Sequence, residues 1–241
     1  MKVVGIIPSR YASTRFPGKP LALIKGKPMV QRVYEQALKS DLDAVVVATD
    51  DVRIADAVME FGGQYVMTSP DHRSGTDRCR EAVDLLDTKY DAVVNIQGDE
   101  PFIDPQHINL VLSLIHRDDT VLASLAKRIK DEDELFSPNT VKVVMNHRGE
   151  ALYFSRNPIP FVRNEDRKDW MDKSVFYKHI GIYAYKTDTL RQIAEMRPTI
   201  LESAESLEQL RWLENGLSIR MGLTMTENVS IDEPGDIVKA E

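Results

Sequence analysis

The chain has 241 residues, a formal charge of −7 from 38 acidic and 31 basic side chains, and a single cysteine, Cys79. One cysteine excludes an internal disulfide and any multi-thiolate zinc site, and the acidic balance argues against a general nucleic-acid binder. No apolar run approaches the roughly 18 residues of a membrane span, and Met1-Lys2 leads into a strand with no cleavage signal, so a soluble, cytoplasmic protein is expected.

The apolar run Val3-Val-Gly-Ile-Ile7 predicts a buried first strand. A loop of small residues follows, Pro8-Ser-Arg-Tyr-Ala-Ser-Thr-Arg-Phe-Pro-Gly-Lys-Pro20, carrying Arg10, Arg15 and Lys19. The first 34 residues hold seven Lys/Arg and no acid. Ligands of open α/β sheets bind at the carboxyl ends of strands, so these cations and the loop amides suit a triphosphate; a basic loop that only aids solubility is the alternative. No Gly-x-Gly-x-x-Gly follows the strand, and Pro20 stands after Gly18-Lys19 where a P-loop needs Ser or Thr. Both an NAD dehydrogenase and a P-loop kinase are thereby excluded. Pro20 also argues against a helix starting at the lysine, leaving an extended loop to hold the phosphates.

Beyond the loop, patterning predicts a helix over 29–39, a strand over 44–49, a helix over 52–61 and a strand over 64–68. A helix over 75–87, a strand over 91–97, a helix over 105–117 and a strand over 120–126 continue the alternation. This is the pattern of parallel strands with crossover helices. Further strands are expected over 140–145, 151–155 and 176–186, with the polar stretch 163–173 read as a mobile loop. Helices over 188–196 and 204–215 and a strand over 217–223 complete the chain. The expected fold is α/β with a mostly parallel open sheet in one domain over 1–241. Its nucleotide-binding half spans about 1–127, and a substrate-binding half spans about 128–241.

Several motifs carry chemistry. Asn95-Ile-Gln-Gly-Asp-Glu-Pro101 closes an apolar strand with two carboxylates at the same sheet edge as the basic loop, a place for a hard cation such as magnesium that bridges to phosphates. Asp232, in Val229-Ser-Ile-Asp-Glu-Pro-Gly235, is a second isolated acid that could close the same site; otherwise it is a turn residue. His72-Arg-Ser-Gly-Thr-Asp-Arg78 opens a helix capped by Ser74 or Thr76, whose amides can meet an anion or a base edge. Tyr153-Phe-Ser-Arg156 and His179-Ile-Gly-Ile-Tyr-Ala-Tyr185 place polar residues in apolar strands, and an Arg and a His facing one pocket would suit a carboxylate. The five histidines are scattered, with none paired at i, i+4, which disfavours a histidine zinc site.

Taken together, Pro8-Ser-Arg-Tyr-Ala-Ser-Thr-Arg-Phe-Pro-Gly-Lys-Pro-Leu21, Ser74-Gly-Thr-Asp-Arg78, Asn95-Ile-Gln-Gly-Asp-Glu-Pro101, Val141-Lys-Val-Val144, Tyr153-Phe-Ser-Arg156, His179-Ile-Gly-Ile-Tyr183, Leu207-Glu-Gln-Leu-Arg211 and Ile231-Asp232 resemble the 3-deoxy-manno-octulosonate (Kdo) cytidylyltransferase family. The resemblance runs over 3–237, with the segments in the family's order. It implies a Rossmann-like nucleotidyltransferase fold with an inserted sugar-binding and dimerisation portion. It further implies magnesium-dependent transfer of CMP from CTP to the anomeric hydroxyl of an eight-carbon 2-keto sugar acid, with release of pyrophosphate, in lipopolysaccharide assembly.

By that resemblance Arg10, Ser13, Arg15 and Lys19 hold the CTP phosphates, and Ser74 and Arg78 bind the cytidine. Asp99 and Asp232 match the magnesium ligands, with Lys19, Arg10 and Asp99 as the catalytic set. Gln97 lies between nucleotide and sugar, and Arg156, His179, Tyr183, Glu208 and Gln209 match sugar-site positions. A homodimer is implied as well. Three departures fall where the family pattern differs: Ser203 in place of an expected His, Asn157-Pro158 after Arg156, and Arg73. Loss of a cation at Ser203 would tolerate a sugar with an amine at its far end, so both Kdo and 8-amino-3,8-dideoxy-manno-octulosonate are expected candidates. The competing readings are a cytidylyltransferase for another acidic sugar, such as a nonulosonic acid, and a non-catalytic sensor of nucleotides or phosphosugars.

Overall fold

A computed structural model describes residues 1–12, 16–231 and 233–240. Ser13, Arg15 and Asp232, three of the expected ligand residues, lie outside the described residues. Strand β1 (Val3–Ser9) runs through the middle of the main sheet, and its side chains alternate between two cores. Val3 and Ile7 pack on one face, with Val4 and Ile6 on the other. A strand buried on both faces needs a continuous apolar run, which Val3 to Ile7 supplies.

The chain then forms the short hairpin β2 (Leu23–Ile24) and β3 (Lys27–Pro28), helix α1 (Met29–Ala37), β4 (Ala44–Thr49), α2 (Val52–Glu60) and β5 (Tyr65–Met67). Helix α3 (Gly75–Leu85), β6 (Ala92–Asn95), α4 (Pro105–Ile115) and β7 (Leu122–Arg128) follow. The second half holds α5 (Glu132–Phe136), β8 (Lys142–Met145), β9 (Ala151–Ser155), α6 (Trp170–Lys173), β10 (Tyr177–Lys186), α7 (Thr187–Glu195), α8 (Ile200–Glu205), α9 (Glu208–Glu214), β11 (Arg220–Thr224) and α10 (Pro234–Ala240). The main sheet is ordered β11-β7-β10-β6-β1-β4-β5, with β8 and β9 attached at β10. Strand β1 pairs in parallel with both β4 and β6, whereas β10 is antiparallel to β6 and β7. Helices α1, α2 and α4 cover one face; α3, α7 and α9 cover the other.

The connection leaves β1 on one side through β4 and β5 and returns to the other side at β6. That reversal opens a crevice beyond the carboxyl ends of β1 and β6, the usual ligand position in such sheets. The expected parallel alternation therefore places the basic loop after β1 beside the acidic turn after β6.

Four details differ from the sequence reading. Lys19–Leu21 forms a 3-10 turn with Pro20 in its first positions, because a proline nitrogen there lacks only a proton that has no partner anyway. The stretch 163–173 is not simply a loop: it holds a 3-10 turn (Arg167–Asp169) and α6, pinned by buried Trp170 against Ile129, Leu135 and Phe176. The single helix expected over 204–215 is two, α8 and α9, broken at Ser206, whose φ of 52 is left-handed. Helices α5 and α10 are additional.

The attachment of β8 depends on a buried charge. Lys142 has no exposed surface, and its ammonium donates to the carbonyls of Ser137, Thr140 and Arg156 at 2.8, 2.7 and 2.6 Å. Lys142→Met keeps the apolar stem but strips three buried acceptors of their donor, so a loss of about 3 kcal/mol is expected in urea unfolding. A change below about 1 kcal/mol would show that these carbonyls find other partners.

Candidate active site

The crevice beyond β1 and β6 contains a cavity of about 260 Å³. Its walls come from Pro8, Ser9 and Arg10 after β1, from Lys19 and Pro20, from the start of α3, and from Gln97, Gly98 and Asp99 after β6. Two glycines shape it. A side chain on Gly98 would meet the Pro8 carbonyl oxygen at 3.0 Å, so glycine lets the turn after β6 lie against β1. Gly18 has φ +70 and faces the Tyr11 ring, while its N–H donates to the Tyr11 carbonyl at 3.0 Å. The guanidinium of Arg53 lies 3.3 Å from the centroid of that ring, so the loop is held at Tyr11 as well as at its ends.

Within the cavity Lys19 Nζ donates to Asp99 Oδ2 at 2.8 Å; the two side chains are 13% and 34% exposed. Arg10 is exposed at the wall. The Asp99 backbone is fixed from the far end of the chain, because the Ile231 N–H donates to its carbonyl at 2.9 Å. Next to it, burial pushes the Glu100 carboxyl up to about 7, against the hydrogen bond from Asn228 that favours its ionised form. Oxygen donors of this kind suit a hard cation that one or two carboxylates and substrate phosphates complete. Among the described residues no group of three or more His, Cys, Asp or Glu converges as a metal site would require.

The start of α3 forms the opposite wall. Ser74 is the cap, its Oγ accepting from the Asp77 N–H at 3.1 Å. Thr76 instead donates to Glu208 Oε2 at 2.9 Å, tying α9 of the second half to this wall. Burial raises the Glu208 pKa. His72 is hydrogen-bonded to Glu81, which also accepts from the Ser69 N–H at 2.8 Å, a pairing with no local sequence signal.

The expected sugar residues fall around the neighbouring part of the sheet. Gln97 lines the cavity and its amide donates to the Gly181 carbonyl at 3.0 Å. Gly181 in turn borders a second cavity of about 340 Å³, shared by Thr140, Val141 and His179 on one side and Glu100 and Asn228 on the other. The His179 N–H donates to the Val141 carbonyl, and continuing the β8–β9 register by one residue sets Arg156 on the other side of Val141. Arg156 and His179 thus share a sheet face with Phe154 and Tyr183, whose rings lie 5.1 and 5.3 Å from the imidazole.

His179 is half-buried against the Phe154 and Tyr183 rings, and the loss of water around its imidazole pushes its pKa down to about 3 and leaves it neutral. Ser124 Oγ lies 2.8 Å from the Ile182 carbonyl and 2.9 Å from His179 Nε2, so the hydroxyl proton serves the carbonyl and Nε2–H donates to the hydroxyl. Arg156 is committed to the carbonyls of Glu205, Pro138 and Ser206, bracing the corner that precedes Glu208. Tyr183 and Gln209 are buried nearby, whereas Ser203 is exposed on α8 and donates to its own helix at the Thr199 carbonyl, 2.8 Å away.

The neutral histidine has a measurable consequence. An unfolded imidazole protonates near pH 6.5, but folded His179 does so only near 3, so the unfolded state binds more protons between those values and stability drops as the pH is lowered through them. His179→Gln should remove about 2 kcal/mol of the stability difference between pH 7 and pH 5, read from urea unfolding at both. An unchanged difference would mean that the imidazole is charged in the fold.

A model of the cytidylyltransferase family matches residues 4–219. The chain is 54% identical to the 3-deoxy-manno-octulosonate cytidylyltransferase of Parabacteroides distasonis, over 100% of this chain and 97% of that protein. It is 52% identical to the enzyme of the same name from Cytophaga hutchinsonii, over 99% and 96%. It also superposes on a CMP:2-keto-3-deoxy-manno-octonic acid synthetase solved in complex with CTP, with TM-score 0.93, 43% identity, and 100% and 97% of the two chains covered.

Proposed function

The chain belongs to the cytidylyltransferase family, among the 3-deoxy-manno-octulosonate cytidylyltransferases, and on that premise we propose that it transfers CMP from CTP to the anomeric hydroxyl of Kdo and releases pyrophosphate. The observation that carries this reading is the Lys19–Asp99 pair, at 2.8 Å, in a cavity at the sheet reversal, with Gln97 joining that cavity to a second one. Arg10 and Lys19, with Ser13 and Arg15, hold the triphosphate. Ser74 and Arg78 hold the cytidine. The sugar lies beyond Gln97, toward His179, Tyr183, Arg156 and the Glu208-Gln209 pair.

Asp99 and Asp232 would hold magnesium, which when bound would supply positive charge against the phosphates. Two anionic substrates repel each other, so the protein's own work is to neutralise and align them. Lys19 turns from Asp99 toward the phosphates, and Gln97 keeps the hydroxyl in line with the α-phosphorus. No nucleophilic side chain intervenes: Cys79 is buried and its thiol is pushed up out of the ionising range. Attack is direct, which predicts inversion at phosphorus with chirally labelled CTP; retention would rule out a single displacement.

This reading takes the chain as one nucleotidyltransferase domain, with a nucleotide half over about 1–127 and a sugar half over about 128–241. A homodimer in the cytoplasm that supplies lipopolysaccharide assembly completes it. The 8-amino analogue is the informative comparison, since Ser203 spends its hydroxyl within α8 and nothing in its placement favours an amine. The deciding assay follows pyrophosphate and CMP-sugar from CTP and Kdo, with and without magnesium. Equal amounts of both products, only with metal and sugar present, are expected; a protein that binds CTP but releases no pyrophosphate under any condition would be a sensor.

A further inference from the structure

Arg78 is a charged residue that the fold has nearly sealed: it is 3% exposed, yet it lines the nucleotide cavity from the first turns of α3. Two groups hold its guanidinium. Nη1 donates to Thr68 Oγ1 at 2.6 Å and Nη2 to Asp50 Oδ2 at 3.3 Å. Both partners come from the adjacent strand ends, where the Thr68 N–H donates to the Thr49 carbonyl at 2.8 Å. Among the described residues Asp50 makes no other side-chain hydrogen bond. Its second oxygen, Oδ1, is buried without a partner, and capping of α2 falls to Asp51 instead.

We infer that Asp50 and Thr68 are positioning residues that fix the plane of Arg78 so that it selects cytosine over uracil. A guanidinium offers donors only. Cytosine presents two adjacent acceptors on its pairing edge, O2 and N3, and two parallel N–H groups of a fixed fork satisfy both. Uracil presents O2 beside an N3–H, so the same fork meets one acceptor and one donor and leaves two buried N–H groups unpaired. A guanidinium free to rotate would turn away from the N3–H and bond O2 alone, which erases the discrimination. Selectivity therefore rests on the two groups that stop the rotation. The inference depends on the cytidine site being at Arg78, as proposed above.

Equilibrium binding of CTP and UTP, without sugar, tests it apart from catalysis, beside steady-state kinetics with Kdo. The unmodified chain should prefer CTP by ~10²-fold or more, and D50A and T68V should each reduce the preference ~10-fold or more, with CTP affinity falling and the KM for the sugar unchanged. T68S retains the hydroxyl and should restore the preference, which separates positioning from general loss of packing. The inference falls if D50A and T68V weaken CTP and UTP equally, or if T68S behaves as T68V. Should the chain prefer CTP and lose that preference in these variants yet make no CMP-sugar, the inference stands and the proposed transfer falls.

Discussion

Lys19→Met should lower kcat/KM for CTP by ~10²- to 10³-fold, the loss typical of removing a positioned cation that meets developing negative charge. The ammonium stands where the 3-10 turn Lys19–Leu21 leaves the basic loop, and its contact with Asp99 Oδ2 at 2.8 Å shows that it already reaches across the cavity to the acidic side. Methionine preserves the stem and removes the charge, so the loss measures electrostatics and not packing. Stability should change by less than about 1 kcal/mol, because a pair with partly exposed members contributes little to folding. The kinetic loss should fall on both kcat and kcat/KM, since the charge on the phosphates grows between bound substrate and transition state. A loss below about fivefold, with the fold intact, would place the triphosphate elsewhere.

Asp99→Asn is expected to be at least as severe, ~10³-fold in kcat, and to raise the magnesium concentration needed for half-maximal activity. The amide keeps the size of the side chain and an acceptor for Lys19 but removes the negative charge on which a hard cation depends. The backbone carbonyl that receives the Ile231 N–H is untouched, so the melting temperature should hold. Asp232→Asn should produce a similar loss, and the double variant should be little worse than either one, because two ligands of one ion act as a unit. Manganese titration followed by electron paramagnetic resonance gives the readout apart from turnover: a bound signal in the unmodified chain that weakens in both variants. Full additivity of the two losses would assign the carboxylates to separate tasks.

Much of this site could be read along the chain because an open parallel sheet delivers its strand ends to one edge. An apolar run followed by the basic loop, and another followed by Gln97-Gly-Asp-Glu100, can only meet where β1 and β6 pair. The stretch over 1–127 was legible for that reason, and its helix limits held to within a few residues. The second half was less so. Its support comes from buried lysines, Lys142 and Lys178, which sit inside strands and would be taken for solvent-facing positions; Lys178 instead pairs with Glu134 and Glu227, from separate segments. The break between α8 and α9 depends on Ser206 adopting φ 52, a conformation that serine rarely takes and that Arg156 supports by bonding its carbonyl. Strand β10, to which the patterning assigned no direction, is antiparallel to β6 and β7, since the alternation that signals parallel strands ends at β7. The neutrality of His179 was invisible for a similar reason: the partial loss of water against Phe154 and Tyr183 is a tertiary fact, so a sequence reading could set it in one pocket with Arg156 but not assign its charge.

The shared use of Asp99 explains why the basic loop after β1 and the distal segment near Ile231 meet in one place. Lys19 reaches its side chain and Ile231 its backbone, so two regions far apart in sequence are registered on a single residue. A crystal structure of the chain with CTP and magnesium tests this arrangement most directly. The expected result is a triphosphate within hydrogen-bond reach of Lys19 and Arg10, with the ion on Asp99 and Asp232. A triphosphate bound away from the β1–β6 edge, or an ion that touches neither aspartate, would contradict it.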